Sequence, residues 1–444
     1  MAVRTVVVGG GAAGIGAAGA FKGANPGGEV VVYTEFEDAA YSPCGIPYVH
    51  GKEIVDFQNL FLATKEQYAK QGIDIHYETT VTGLDFANRR IHVEGEGDVA
   101  YDRLIVATGF NYADPGVPGG DLDGLYYVKN IRKAMEWDKR LDETKVAVII
   151  EATPLGMEMI EAMIHRGIEV HVVDTRPWAM SDLADPDIVE PVQKTWQEAG
   201  VHMHYGVKLE GFLGEGKIRA VKTSDGEIPC DLAVICTKKV PNNELGARAG
   251  LKTGPTGGII VNKRMETNMA GVYAAGDVTE IPLGITNVGV QGLTGSHAYS
   301  QGKVAGINAG GGHREYQPVY IPWGMVAGKW MIGGVNFGET AATALGIPFV
   351  MGVAQGISRA RYFPGMKPIK VKLLAEPKSL RLIGAQMVGG EGIKERADFL
   401  AMAVKTGITL EDLAYMENVY SPPIGALNEP IALAAQNGLS KLKR

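Results

Sequence analysis

Cysteine is scarce in this chain. Three in 444 residues make no disulfide framework, which points to a reducing compartment, the cytoplasm. Long apolar runs are also missing. The first, VVV, ends at Gly9 after too few residues for a signal sequence or a membrane span, so no membrane association is expected. No long basic cluster occurs, the net charge is −7, and the SKLKR tail reads as a frayed, solvated end, so nucleic acid is not an expected partner. Low-complexity sequence is absent. What is present, 45% hydrophobic and 21% charged residues, is the composition of an ordinary globular protein. At roughly 150 residues per domain the length allows about three domains. The 60 glycines follow no G-X-Y period and therefore mark tight turns.

From residue 3 the text reads strand, Gly-rich turn, helix, strand: TVVVGGGAAGIGAAGAF, then EVVVYTE. A second unit of the same kind starts at Val146 and runs through GMEMIEAMIHRG to IEVHVVD. Such alternation predicts parallel sheets with right-handed crossovers. Short strands ending at a Gly-Asp turn follow near residue 244. From about residue 318 the strands read as antiparallel (IKVKLLAE, SLRLIGAQMVG), with amphipathic helices beginning at GIKERADFLAMAVKTG.

Gly9, Gly11 and Gly14 form GxGxxG between the first strand and the first helix. In that context the glycines provide the tight turn, the backbone approach to a pyrophosphate, and close packing of helix on strand. Ala12 and Ala13 lie in the same phosphate loop. Glu35, about 20 residues on, stands at the end of the next strand, where a carboxylate accepts ribose hydroxyls. The motif alone does not separate FAD from NAD.

Two later stretches do. LIVATGF (104–110) and VYAAGDVTE (272–280) resemble the paired segments of flavoproteins with two dinucleotide-binding domains, and YSPCGIPY (41–48) resembles the active-site segment of the single-cysteine pyridine nucleotide–disulfide oxidoreductases. That group holds coenzyme A disulfide reductases, NAD(P)H polysulfide and persulfide reductases, and NADH oxidases and peroxidases. The resemblance extends to the C-terminal third through RYFPG, LIGAQMVG and VYSPP. It implies an α/β fold with two Rossmann-like domains, glutathione-reductase-like, followed by an α+β dimerisation domain. The expected boundaries are 1–111 and 244–317 for FAD binding, 112–243 for an NAD(P)-binding-like domain, and 318–444 for the homodimer interface. FAD is the implied cofactor, with Ser42, Pro43, Ala107, Thr108, Gly109, Gly276 and Asp277 among its contacts, while Glu158 belongs to the cofactor-binding motif of the second, NAD(P)H-binding unit. The helix in SHAYSQGKVAGINAG would aim its N-terminus at the flavin.

Cys44 is then the redox centre. With one cysteine in place of a CxxxxC pair, it has no resolving partner in its own motif, so it alternates between thiolate and an adduct with a small sulfur compound. A cysteine opening a helix beside an oxidised flavin is expected to have a lowered pKa. Cys230 and Cys236 lie in an apolar strand-like run and read as buried, inert thiols. By the same resemblance Tyr362 and Tyr420 act on the sulfur from the partner subunit, and Lys22, Arg359 and Arg361 meet coenzyme A phosphates. The peroxidase and water-forming oxidase branches place a histidine in the Gly-rich loop; Ala12 and Ala13 disfavour them here. His202 and His204 share one strand face, but no third ligand is evident nearby, so no metal is expected.

The second unit departs from the family. In VAVIIEATPLGMEMIE, Gly156 and Glu158 remain, but Glu151 and Thr153 stand where the first two glycines belong. A carboxylate beside a pyrophosphate is repulsive by about 1–4 kcal/mol at surface-like dielectric, and a β-branched residue crowds the approach. NAD(P)H use is therefore expected to be weak or absent, the alternative being an NAD(P)H-dependent coenzyme A disulfide or polysulfide reductase that binds NAD(P)H in a changed loop by other contacts. The donor or acceptor would be a redox partner protein or a small dithiol, leaving an electron-transfer flavoprotein and a Cys-sulfenate oxidase as further possibilities. Asp174 ends the next strand, where it could hold a ribose.

Overall fold

The computed structural model describes residues 2–292, 294–316 and 318–442, so Lys443 and Arg444 of the SKLKR tail lie outside the described residues. The first sheet is parallel and five-stranded. Its order is Val272–Ala274, Arg103–Val106, Arg4–Val8, Glu29–Tyr33 and Asp74–His76. Its middle strand has neighbours on both edges and protein on both faces, which is why it reads as a run of valines with no alternation. Glu35 lies two residues beyond the observed strand end at Tyr33, exposed in the loop.

A second parallel sheet is complete before the chain returns to the first. Its order is His202–Tyr205, Glu169–Asp174, Val146–Ile150, Leu232–Ile235 and Leu125–Tyr127. The outward and return crossings of the chain pair with each other, Phe110–Tyr112 antiparallel to Lys239–Pro241. Each Rossmann-like unit also carries a small antiparallel sheet, over 81–100 and 209–229.

The C-terminal module is a five-stranded antiparallel sheet in the order Pro322–Ala327, Trp330–Val335, Leu382–Gly389, Pro368–Ala375, Val350–Ile357. Every residue of its central strand Leu382–Gly389 is buried. Helices Ile393–Thr406 and Pro430–Leu442 pack with its apolar residues in one cluster.

The helix Ala12–Ala24 is held against Gly295–Ala309 by two glycines of the latter. A Cβ on Gly302 would fall 2.1 Å from the Ala13 carbonyl oxygen, and one on Gly306 2.0 Å from that of Ala17. The two backbones touch, and any side chain there would force them apart.

Candidate active site

The first Gly-rich turn is built as its spacing predicts. Gly9 has φ +114°, and a Cβ on it would lie 2.2 Å from the Ala107 carbonyl oxygen. A Cβ on Gly14 would lie 1.9 Å from the Gly9 carbonyl oxygen, so glycine lets the helix sit on the strand. Gly11 differs: nothing lies within 4 Å of a Cβ built there. It N-caps Ala12–Ala24, and no side chain closes that helix's first turn. The first-turn N–H groups thus face open space at the positive end of a helix, a cradle that fits the pyrophosphate of FAD. Gly276 (φ +85°) brings Asp277 to the same place, since a Cβ on it would meet the Ala13 Cβ at 2.8 Å. Thr108 does not face outward alone; its hydroxyl donates to the Asn242 carbonyl at 2.7 Å and ties the two chain crossings together.

Cys44 stands in a 3₁₀ turn, Pro43–Gly45, that leads into the short helix Ile46–His50. The turn is fixed by Gly45, where a Cβ would strike Leu60 Cδ2 at 2.3 Å, and by the Ser42 N–H bonded to the Leu60 carbonyl at 2.9 Å. Cys44 is exposed, whereas Cys230 and Cys236 are buried with thiols pushed up by desolvation. Its own pKa is raised, first by the protein mass around it and then by the Glu158 carboxylate, with Lys239 pulling it down and Asp277 pushing it up. The expectation of a lowered pKa is thus not met by the chain's own groups, because desolvation opposes the thiolate and the two carboxylates add to it against one ammonium.

Glu158 projects from the helix Pro154–His165 of the second unit, and its carboxyl accepts from the Tyr48 hydroxyl at 3.4 Å. Burial raises its pKa to about 7, against the Tyr48 hydrogen bond, which lowers it. Lys239 pairs with Asp277 at 3.0 Å and lies over the Phe110 ring. Lys129 bonds the Phe110 carbonyl and Asn111 Oδ1, and burial lowers its pKa. Tyr48, Lys129 and Lys239 were missed from sequence. Tyr48 sits inside the quoted cysteine segment; the lysines lie in short connectors with no periodic signal.

The second Gly-poor turn keeps its scaffold. A Cβ on Gly156 would meet the Glu151 carbonyl oxygen at 2.2 Å, the same relation as Gly14 to Gly9. Glu151 takes the positive-φ position, φ +71°, that Gly9 fills in the first unit. Its side chain is drawn to Arg176 Nη2 at 3.3 Å. Thr153 turns its hydroxyl inward, donating to the Cys236 carbonyl at 2.7 Å and accepting from Gly156 N–H at 3.3 Å. Asp174 is buried and accepts from Ala152 N–H at 2.8 Å and Arg176 at 2.7 Å. It therefore fixes the turn and is not poised for a ribose.

In the C-terminal module Tyr362 and Tyr420 meet, hydroxyl to hydroxyl at 2.9 Å, and both are exposed. Arg361 is exposed beside them, while Arg359 is paired with Glu391 at 2.9 Å. Lys22 is turned away from any ligand: its ammonium donates to the Pro26 and Gly28 carbonyls at 3.0 and 2.9 Å, closing the loop after its helix. A cleft of about 740 Å³ instead opens along Gly19, Gly23, Tyr68, Tyr299 and Lys303. Lys303 is the cation this cleft supplies.

A phosphate cradle, a second Rossmann-like unit meeting it at one exposed thiol, and a C-terminal antiparallel sheet define a flavin-linked disulfide oxidoreductase fold. The chain belongs to the pyridine nucleotide–disulfide oxidoreductase family. Residues 3–302 match the family model "Pyridine nucleotide-disulphide oxidoreductase", and residues 324–430 match its dimerisation domain. Among curated relatives, an "NADH oxidase" of Methanocaldococcus jannaschii is 35% identical over 99% of both chains. An "NAD(P)H sulfur oxidoreductase (CoA-dependent)" of Pyrococcus furiosus is 31% identical over 98% of both. Among solved structures, the NAD-dependent persulfide reductase from A. fulgidus superposes with a TM-score of 0.96 at 28% identity, covering 99% of this chain and 84% of that one.

These relatives overturn the expectation that NAD(P)H use is doubtful: each carries NADH, NAD(P)H or NAD dependence in its name over nearly the whole length of this chain. The local reason is that Arg176 holds the Glu151 carboxylate and Thr153 folds inward, so neither substitution acts as an isolated side chain in the phosphate path. Among the described residues, no helix is long and apolar enough to cross a membrane.

Proposed function

We propose that this chain, as a homodimer in a reducing cytoplasm, uses NAD(P)H to reduce a small disulfide or persulfide of the coenzyme A class through Cys44. Its modules divide at residues 111, 243 and 317. The observation that carries the reading is a single exposed thiol, with both other cysteines buried, at the convergence of Glu158, Lys239 and Asp277. Gly9, Gly11, Ala12, Ala13, Gly14, Glu35, Ser42, Pro43, Ala107, Thr108, Gly109, Gly276 and Asp277 hold FAD, with Glu158 beside it. When bound, FAD supplies the electron pair, taken from the nicotinamide, that reduces the cysteine adduct.

The Cys44 thiolate attacks one sulfur of R–S–S–R, forming Cys44–S–S–R and expelling RS⁻. Lys239 favours the attacking thiolate electrostatically. Glu158, with its pKa at about 7, and Tyr48 hold the proton that the departing thiolate needs. Tyr362 and Tyr420 present their paired hydroxyls across the dimer to the reacting sulfur of the other subunit. The cleft of about 740 Å³ has room for the nucleotide end of coenzyme A, with Lys303 on its wall as a cation toward the phosphates; Arg361 is assigned to the same phosphates by the family resemblance.

Anaerobic turnover of NADH with coenzyme A disulfide and persulfide tests this. Turnover in the native chain and a fall on the order of 10³-fold or more in Cys44→Ser are expected. Full activity in that variant would sink the mechanism. The 35% identity to an NADH oxidase favours a second reading, oxygen or peroxide reduction with Cys44 as sulfenate. Oxygen uptake outrunning sulfur-compound reduction would select it.

A further inference from the structure

Parallel pairing of the edge strand His202–Tyr205 with Glu169–Asp174 sets His171 opposite His202. With a side-chain period of two, Glu169 and His171 share a face with His202 and His204. Sequence spacing offered only the two histidines of one strand; the register supplies the rest. Glu169 Oε1 lies 3.2 Å from His171 Nε2 and 3.7 Å from His202 Nε2. The His171 and His202 rings stack at 4.5 Å. The three donor atoms all fall within 4.8 Å of one another. Behind them, His204 Nε2 is 3.1 Å from His171 Nδ1.

We propose that Glu169, His171 and His202 bind one divalent transition-metal ion of the zinc class, with His204 as the positioning residue that orients His171. Tetrahedral ligands about 2.0–2.1 Å from zinc stand on the order of 3.3 Å apart; the two Glu169 spacings of 3.2 and 3.7 Å already match this, and the stacked His171 and His202 rings must turn towards each other to close the third. Two imidazoles and one carboxylate suit Zn²⁺ or Co²⁺ and not Ca²⁺ or Mg²⁺, which take sets of oxygens. A ligating histidine fixed through its other nitrogen is the usual support for such a site, and His204 stands there. Three protein ligands leave a fourth position for water. The site lies at the starts of its two strands. Asp174 and the nucleotide turn lie at the other end, about 10 Å of strand away. The ion would brace the sheet's edge strand and take no part in the redox chemistry.

Chelator-treated holoenzyme titrated with Co²⁺, followed by Zn²⁺ competition, tests the assignment. One Co²⁺ per chain with the visible absorption of tetrahedral cobalt is expected, displaced by Zn²⁺. Glu169→Gln and His202→Gln, both at exposed positions, should each weaken binding roughly 100-fold, and His204→Gln roughly tenfold with the cobalt spectrum retained. Flavin absorbance and metal-free melting unchanged from the parent show that these variants fold. Cys44 is present throughout, so cobalt held by thiol would persist in the variants. Equal affinity in His202→Gln and the parent, or no stoichiometric binding in the parent, overturns the proposal.

Discussion

Desolvation is the first influence raising the Cys44 pKa, and charged neighbours from separate parts of the chain then adjust it: Glu158 from the second Rossmann-like unit, Lys239 from the return crossing and Asp277 from the last strand turn of the first sheet. Glu158 is the adjustable one. Its pKa is raised from an ordinary 4.5 to about 7, so the carboxyl is neutral below that pH and anionic above it. The anion opposes the thiolate. In Glu158→Gln the rise of Cys44 alkylation rate with pH should therefore move to lower pH; an unmoved profile would refute the coupling. The same shift makes the ionised form costly in the folded state. Its contribution to stability is thus lost as pH rises from 4.5 towards 7, and the variant should melt higher than the parent above that window. The tyrosine pair is exposed, so Tyr362→Phe with Tyr420→Phe should leave melting within about 0.5 kcal/mol of the parent. The pair should lower kcat roughly 10²-fold, the usual worth of a positioned proton donor.

At the scale of elements, the two Gly-turn units solve one steric problem in two ways. In each, a glycine five residues on lets the helix rest on the turn carbonyl. The first unit leaves its helix N-terminus uncapped, while the second caps it with Thr153 and balances Glu151 with Arg176. Removing that cation exposes the balance. Arg176→Ala leaves Glu151 and Asp174 without their shared partner, so the KM for NADH should rise about tenfold or more, the worth of one unscreened like charge near a phosphate. An unchanged KM in steady-state assays would show that Glu151 lies off the phosphate path.

Across the whole molecule, one buried cation links the second Rossmann-like unit to the C-terminal module. Lys372, in the strand Pro368–Ala375, reaches Asp185 at 2.7 Å, Asp187 at 2.9 Å and Glu339 at 3.2 Å. Asp185 N-caps the helix Pro186–Glu198 and also accepts from the N–H groups of Glu339 and Thr340. Lys372→Met strands the buried Asp185 charge and should cost about 3–5 kcal/mol, read as a lower denaturant midpoint. A change under 1 kcal/mol would mean water replaces the ammonium.

The two βαβ units, the tight turn at Gly9–Gly14 and the antiparallel C-terminal module were legible in the sequence, because periodicity and glycine spacing are local signals, and the short segment around Cys44 marked where the candidate site lies. The family assignment followed from them. Two readings were not local, and the folded chain changes them. Glu151 looks repulsive until Arg176, 25 residues on, is folded beside it. Lys22 looks like a ligand cation until its own loop carbonyls claim it. The grouping of Glu169 and His171 with His202 and His204 likewise comes from strand register and not from spacing along the chain. Sequence alone determined the elements and the chemistry they carry, since backbone sterics and burial act along the chain. Which charges meet, and hence the state of each, only the tertiary structure decided, because those energies depend on distances between residues far apart in sequence.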